Sequence, residues 1–153
     1  MGKFAMFVFP RHKDLKKSVS NGDAELYTGY EMTGHSRNPE EHSPMSFLNC
    51  VEQRDHADFH TGWERLTQAK EEVSMEIRLR KPWIQQESNH AADPTWILFL
   101  ALPQFDDHGN LTKVLGCTTD ISGFKFAEQV EKISRLQAEE AKKQQETFID
   151  MTS

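Results

Sequence analysis

Leu111-Thr-Lys-Val-Leu-Gly-Cys-Thr-Thr-Asp-Ile-Ser122 is the stretch on which the reading of this chain turns. It is β-branched and aliphatic, and Gly109-Asn110 and Ser122-Gly123 bound it, which is the punctuation of a strand. From Phe124 to Ser153 there is neither Pro nor Gly, and Ala, Glu, Gln and Lys dominate. Those residues lose little on entering a helix, so a long helix is expected after Gly123. A sheet domain thus hands its last strand to a helix, and an influence leaving the domain would leave there.

Working upstream, Asp106-Asp-His-Gly-Asn110 reads as a hairpin turn, rich in residues that tolerate positive φ. Before it, Thr95-Trp-Ile-Leu-Phe-Leu-Ala-Leu102 is apolar on both faces, which predicts a buried strand covered on each side. Lys81 to Pro94, carrying Trp83 and Ile84, reads as a long loop. In Glu72-Val-Ser-Met-Glu-Ile-Arg-Leu-Arg80 the apolar Val73, Met75, Ile77 and Leu79 alternate with polar residues, so one strand face is buried and one is wet.

Further upstream the period changes. Phe59, Trp63 and Leu66 fall on one helical face, with Asp55 as the expected N-cap. Ser43-Pro44 opens a shorter helix carrying Met45, Phe47, Leu48 and Val51, and Asn38-Pro39 another. Ala24 to Met32 reads as a helical turn or two, stopped by Gly34. Lys3 to Phe9 is an aromatic strand, and a second strand at Leu15 to Ser20 is possible before Asn21-Gly22. Helices followed by a run of strands predict an α+β antiparallel sheet with short helices on one face and a long C-terminal helix. The expected divisions are a poorly assigned 1–26, a domain over 27–122 and a helix or coiled-coil linker over 123–153.

This order and several motifs resemble a PAS domain with its PAC motif. Asp120-Ile121-Ser122 matches the family's closing triplet, Tyr30-Glu-Met-Thr-Gly34 is similar to the end of its first helix, and Arg78-Leu79-Arg80 adds to the pattern. Phe148-Ile149-Asp150-Met151-Thr152-Ser153 looks like the residues before the phospho-accepting His of a fungal-type hybrid sensor histidine kinase. The resemblance implies a sensory domain feeding a kinase core absent from this chain, as part of a phosphorelay in two-component signal transduction. It further implies that this chain has no kinase activity, with Asp120, Ile121 and Ser122 forming the signal-transfer junction. Phe47, Phe59, Trp63, Ile77, Leu79, Trp96, Leu98, Leu100 and Cys117 would form the pocket or core. The rival reading is a free-standing small-ligand or cofactor-binding module without a kinase. A third is an interaction domain using Trp83 and Ile84.

Other chemistry has thin support. His56 and His60 stand i, i+4 on one predicted helix, but the metalloprotease His-Glu-x-x-His pattern is not completed, with Asp58 between the two, so no metal is expected against an exposed helical pair. Cys50 and Cys117 match no metal pattern and read as buried thiols. Asn49-Cys50 begins like the reactive-cysteine motif of flavin photosensors but continues Val51-Glu52, so the cofactor is left unknown, with none as the leading case. No nucleophile elbow or Gly-rich phosphate loop appears, and no catalytic residue is assigned. The formal charge of -6 argues against nucleic acid as partner, and Arg11 to Lys17, interleaved with Asp14, reads as a solvated turn. Phe4 to Phe9 is too short for a membrane span, Met1-Gly2 lacks Ser or Thr at position 6 for myristoylation, and the cytoplasm is expected.

In the C-terminal helix, Phe126, Val130, Ile133, Ala141, Phe148 and Met151 form one stripe if Gln137 and Gln144 are admitted. Their spacing is a heptad pattern with a stutter, apolar at both ends and polar in the middle. It predicts a homodimer seam, with a plain solvated helix as the alternative.

Overall fold

A computed structural model describes residues 33, 34, 38, 45–84 and 93–152, and the backbone of 4–10. Among these, strand β1 is Phe4–Pro10 and 3-10 turns cover Ser46–Cys50 and Gln53–Asp55. Helix α1 is His56–Thr67, strands β2, β3 and β4 are Val73–Trp83, Asp93–Phe105 and Leu111–Asp120, and helix α2 is Ser122–Thr152. The α+β architecture expected from the sequence is what the chain adopts. The readings at Leu15 to Ser20 and Ala24 to Met32, and residues 39–44, lie outside the described residues; Gly34 has φ 75°, the left-handed geometry of a helix stop.

The strands form one antiparallel sheet in the order β1-β4-β3-β2. The first and last strands are neighbours, with Phe4 opposite Thr119, so β4, the strand that feeds the exit helix, is paired on both sides. Asp106 makes the β3–β4 turn: its carboxylate accepts from the His108 and Asn110 backbone N–H groups, and Gly109 takes φ 80°. Lys81–Trp83, read as loop, extends β2 beyond a bulge, because Trp83 pairs with Asp93.

One face of the sheet carries the core. Val73, Ile77 and Leu79 of β2, Ile97, Phe99 and Ala101 of β3 and Val114 of β4 are buried with Phe47, Cys50, Val51, Phe59 and Leu66. Helix α1 approaches closely at Gly62, where a Cβ would run into Met75 and Val73 of β2. Period two sends the alternate residues of β3 the other way. Trp96 and Leu98 are half-buried and Leu100 is 36% exposed, and Cys117, opposite Leu100, is half-buried on that same face. These four, grouped with the pocket on sequence grounds, are therefore not part of the helix-covered core. An unbroken apolar run has no alternation to tell which face is which.

The chain divides into two compact units, Met1–Ser122 and Gly123–Ser153. In the second, α2 is exposed along nearly its whole length, including Val130, Ile133, Leu136, Phe148, Ile149 and Met151.

Candidate functional site

The sequence directs attention to Asp120, Ile121 and Ser122, where β4 ends and α2 begins. The Ser122 backbone N–H donates to Asp120 Oδ1 at 2.9 Å, so the carboxylate satisfies one of the amide donors that a helix start leaves open. Ser122 is 2% exposed although its side chain is polar. Its burial is compensated: Oγ accepts from the Trp96 backbone N–H at 2.9 Å and lies 3.4 Å from the Trp96 carbonyl oxygen. The Ile121 N–H also donates to that carbonyl, at 2.9 Å. Both backbone polar groups of Trp96 thus hold the exit segment, so β3 positions the first residue of the helix.

At the opposite side of β3, β2 forms the described edge of the sheet, and the segment Val51–Asp55 clasps it. Val51 bridges Leu79, the Glu52 N–H donates to the Arg78 carbonyl at 2.9 Å, and Arg80 Nε donates to the Val51 carbonyl at 3.1 Å. Asp55 makes no side-chain cap to α1, contrary to expectation. Its carboxylate accepts instead from the Arg78 backbone N–H at 2.8 Å, from Arg78 Nε at 2.9 Å and from Arg78 Nη2. The Arg78 hydrogen bond holds the Asp55 carboxyl below the usual carboxylate range, against the opposing effect of burial, and the same bond raises Arg78. The guanidinium lies 5.0 Å from the Trp96 ring centre, a cation–π contact.

Between helices and sheet, the remaining predicted pocket residues are brought together. Phe47, Phe59 and Phe99 pack with ring centres 5.5–5.7 Å apart, and Trp63 stacks on Phe59 at 6.3 Å. Ile77 and Leu79 complete the apolar wall. Cys50 sits in this cluster, where burial pushes its thiol up against the opposing charge of Arg80. Cys50 and Cys117 form no disulfide. His56 Nε2 is 3.0 Å from the Val51 carbonyl oxygen while His60 is exposed; among the described residues no three His, Cys, Asp or Glu side chains gather as a metal site. No described helix is long and apolar enough to cross a membrane.

The Asp55–Arg78 pair and the Trp96–Ser122 bonds were missed by sequence reasoning. Each joins residues more than twenty positions apart, and no local spacing marks such a pair.

No protein-family model and no curated protein match the chain. Solved structures do resemble it. A domain assigned to a light and redox sensing histidine kinase of Haloarcula marismortui is 16% identical with a TM-score of 0.54, over 79% of this chain and 91% of that one. A sensory box histidine kinase/response regulator of Burkholderia thailandensis is 15% identical with a TM-score of 0.48, over 70% of this chain and 75% of that one. An RNA-binding light-oxygen-voltage receptor is 18% identical, also at 0.48, over 91% of this chain but 34% of its own. At these identities the likeness is one of fold, and that fold is PAS-like.

Proposed function

We propose that this chain is a cytoplasmic sensory and dimerisation domain that passes a signal through α2 to a histidine kinase core, as the input of a phosphorelay. The observation that carries the reading is the junction: Ser122 opens α2, is buried, and is bonded to the backbone of the neighbouring strand. A change in the sheet displaces the helix start through those bonds instead of dissipating in a loop. The shared fold with the haloarchaeal sensing-kinase domain supports the same reading. Phe47, Phe59 and Phe99 pack ring to ring among the described residues, which supports sensing without a resident cofactor. Two copies would join along Phe126, Val130, Ile133, Ala141, Phe148 and Met151, a stripe whose large apolar members beyond Phe126 are exposed in the single chain.

Asp120→Ala tests the junction. Removing a carboxylate that caps an opening amide costs about 0.5–2 kcal/mol, small beside a domain stability of about 5–15 kcal/mol. Fused in frame to a histidine kinase core, the variant should change the autophosphorylation rate severalfold while the melting temperature of the 153-residue chain falls by no more than about 3–10 °C. Unchanged rate and unchanged melting would dismiss the junction as the output. A steep fall in melting would make Asp120 a structural residue only.

A further inference from the structure

We infer that Arg78 and Trp96 form a side-chain link that couples the Val51–Asp55 clasp on the sheet edge to the start of the exit helix, with Arg78 as its positioning residue. The two residues are register partners on adjacent antiparallel strands. In such a ladder, opposed residues alternate between pairs that exchange backbone hydrogen bonds and pairs whose backbone groups point away from each other. Arg78 and Trp96 are of the second kind. The Arg78 N–H and carbonyl turn outward, to Asp55 and to the Glu52 N–H. The Trp96 N–H and carbonyl turn the opposite way, to Ser122 and to the Ile121 N–H.

The consequence is specific to this pair. One backbone is committed to the clasp and the other to the exit segment, so the two residues meet through their side chains. There the guanidinium, fixed on its other side by Asp55, lies against the indole ring. Pairs of this kind have the shortest separation between strands, which brings their side chains into closest contact. Planarity suits Arg78 to both tasks, since a guanidinium stacks on a ring while donating in its own plane to a carboxylate. A lysine could do one or the other. If the clasp opens, the guanidinium loses its anchor, the contact with Trp96 loosens, and the strand position that holds Ser122 is less constrained.

This link rests on the reading of the exit junction as an output, but its test needs neither a kinase nor a dimer. Amide hydrogen exchange followed by NMR on the whole 153-residue chain reports each end separately, with the Glu52 and Arg78 amides for the clasp and the Trp96 and Ile121 amides for the exit. Arg78→Lys should speed exchange at Trp96 and Ile121 by roughly threefold to tenfold, as loss of a partly buried cation–π contact implies. Trp96→Leu, which leaves Asp55 and Arg78 in place, should speed exchange at Glu52 and Arg78. Arg80→Gln removes a bond to Val51 but leaves the Asp55–Arg78 bonds in place, so Ile121 should be unchanged, and faster exchange there would overturn Arg78 as the positioning residue. The link is overturned if Arg78→Lys frees Glu52 while Ile121 keeps its protection. It is equally overturned if exchange rises uniformly through α1 and β3, because that reads a general loss of stability. Such a failure would leave the junction reading standing, since Asp120→Ala tests that through kinase output.

Discussion

Asp55→Ala removes the one buried carboxylate among the described residues, and its cost can be worked from the contacts. The carboxylate accepts three hydrogen bonds from Arg78, two of them from the cationic side chain, and its side chain is 6% exposed. Hydrogen bonds to charged groups contribute about 1.5–3 kcal/mol each way of counting, and breaking a fully buried pair costs about 3–5 kcal/mol. Arg78 is 24% exposed and can turn toward water once its partner is gone, so the upper figures do not apply. A loss of about 2–4 kcal/mol remains, which for a unit of this size lowers the melting temperature by about 10–20 °C. Asp58→Asn, on the exposed side of α1, should change stability by less than about 0.5 kcal/mol. Acidity gives the second arm. Arg78 lowers the Asp55 pKa in the folded state, so the stabilisation is fully present above the unfolded value of about 3.9 and is lost as pH falls through the lower, folded value. Melting followed by circular dichroism should therefore show a wide gap between wild type and Asp55→Ala at pH 7 that narrows below pH ~4. A shift under about 3 °C at neutral pH, or a gap undiminished in acid, would refute the assignment of Asp55 as the ionic clasp of the β2 edge.

Phe99→Ala should cost about 3–5 kcal/mol in denaturant unfolding, whereas Leu100→Ala, on the half-exposed face, should cost about 1 kcal/mol or less; equal losses would contradict the assignment of faces on β3. Replacing Val130 and Ile133 together by Lys should convert a dimer to a monomer by sedimentation while leaving unfolding of the sheet unit unchanged, and a dimer that persists would remove the helix as the seam.

How much was legible follows from how local each signal is. The alternation of Val73, Met75, Ile77 and Leu79 reports its own face directly, and those side chains do point at the core or its margin. Asp106 and Gly109 announced a turn because the bonds that make it run between residues at most four apart. The exit helix was legible to within one residue, since Ser122, not Gly123, opens it. On β3 the sequence is apolar on both sides, so hydrophobicity carries no information about direction. Leu98 and Leu100 could be assigned only once Phe99 was seen against Phe47 and Phe59.

The case of Asp55 shows why the rest was hidden. An acidic residue just before an amphipathic helix is the ordinary sign of an N-cap, and the local pattern there is genuine. The structure spends the same carboxylate on a strand whose partner residue is 23 positions away, because a donor on the sheet edge and a guanidinium offer it three bonds where a cap offers one or two. Competition of this kind is decided by total hydrogen bonding and charge, quantities that exist only after the chain has folded. The same holds for Ser122: its hydroxyl could serve many short-range roles at a helix start, yet it is buried against Trp96, on a strand that ends well before it in sequence. The short segments before the helices and the exit triplet are therefore the places where sequence reading finds the right residues and misses their partners. Those missing partners meet at Arg78 and Trp96, which is why the relation between clasp and exit emerges from the sheet register instead of from either motif alone.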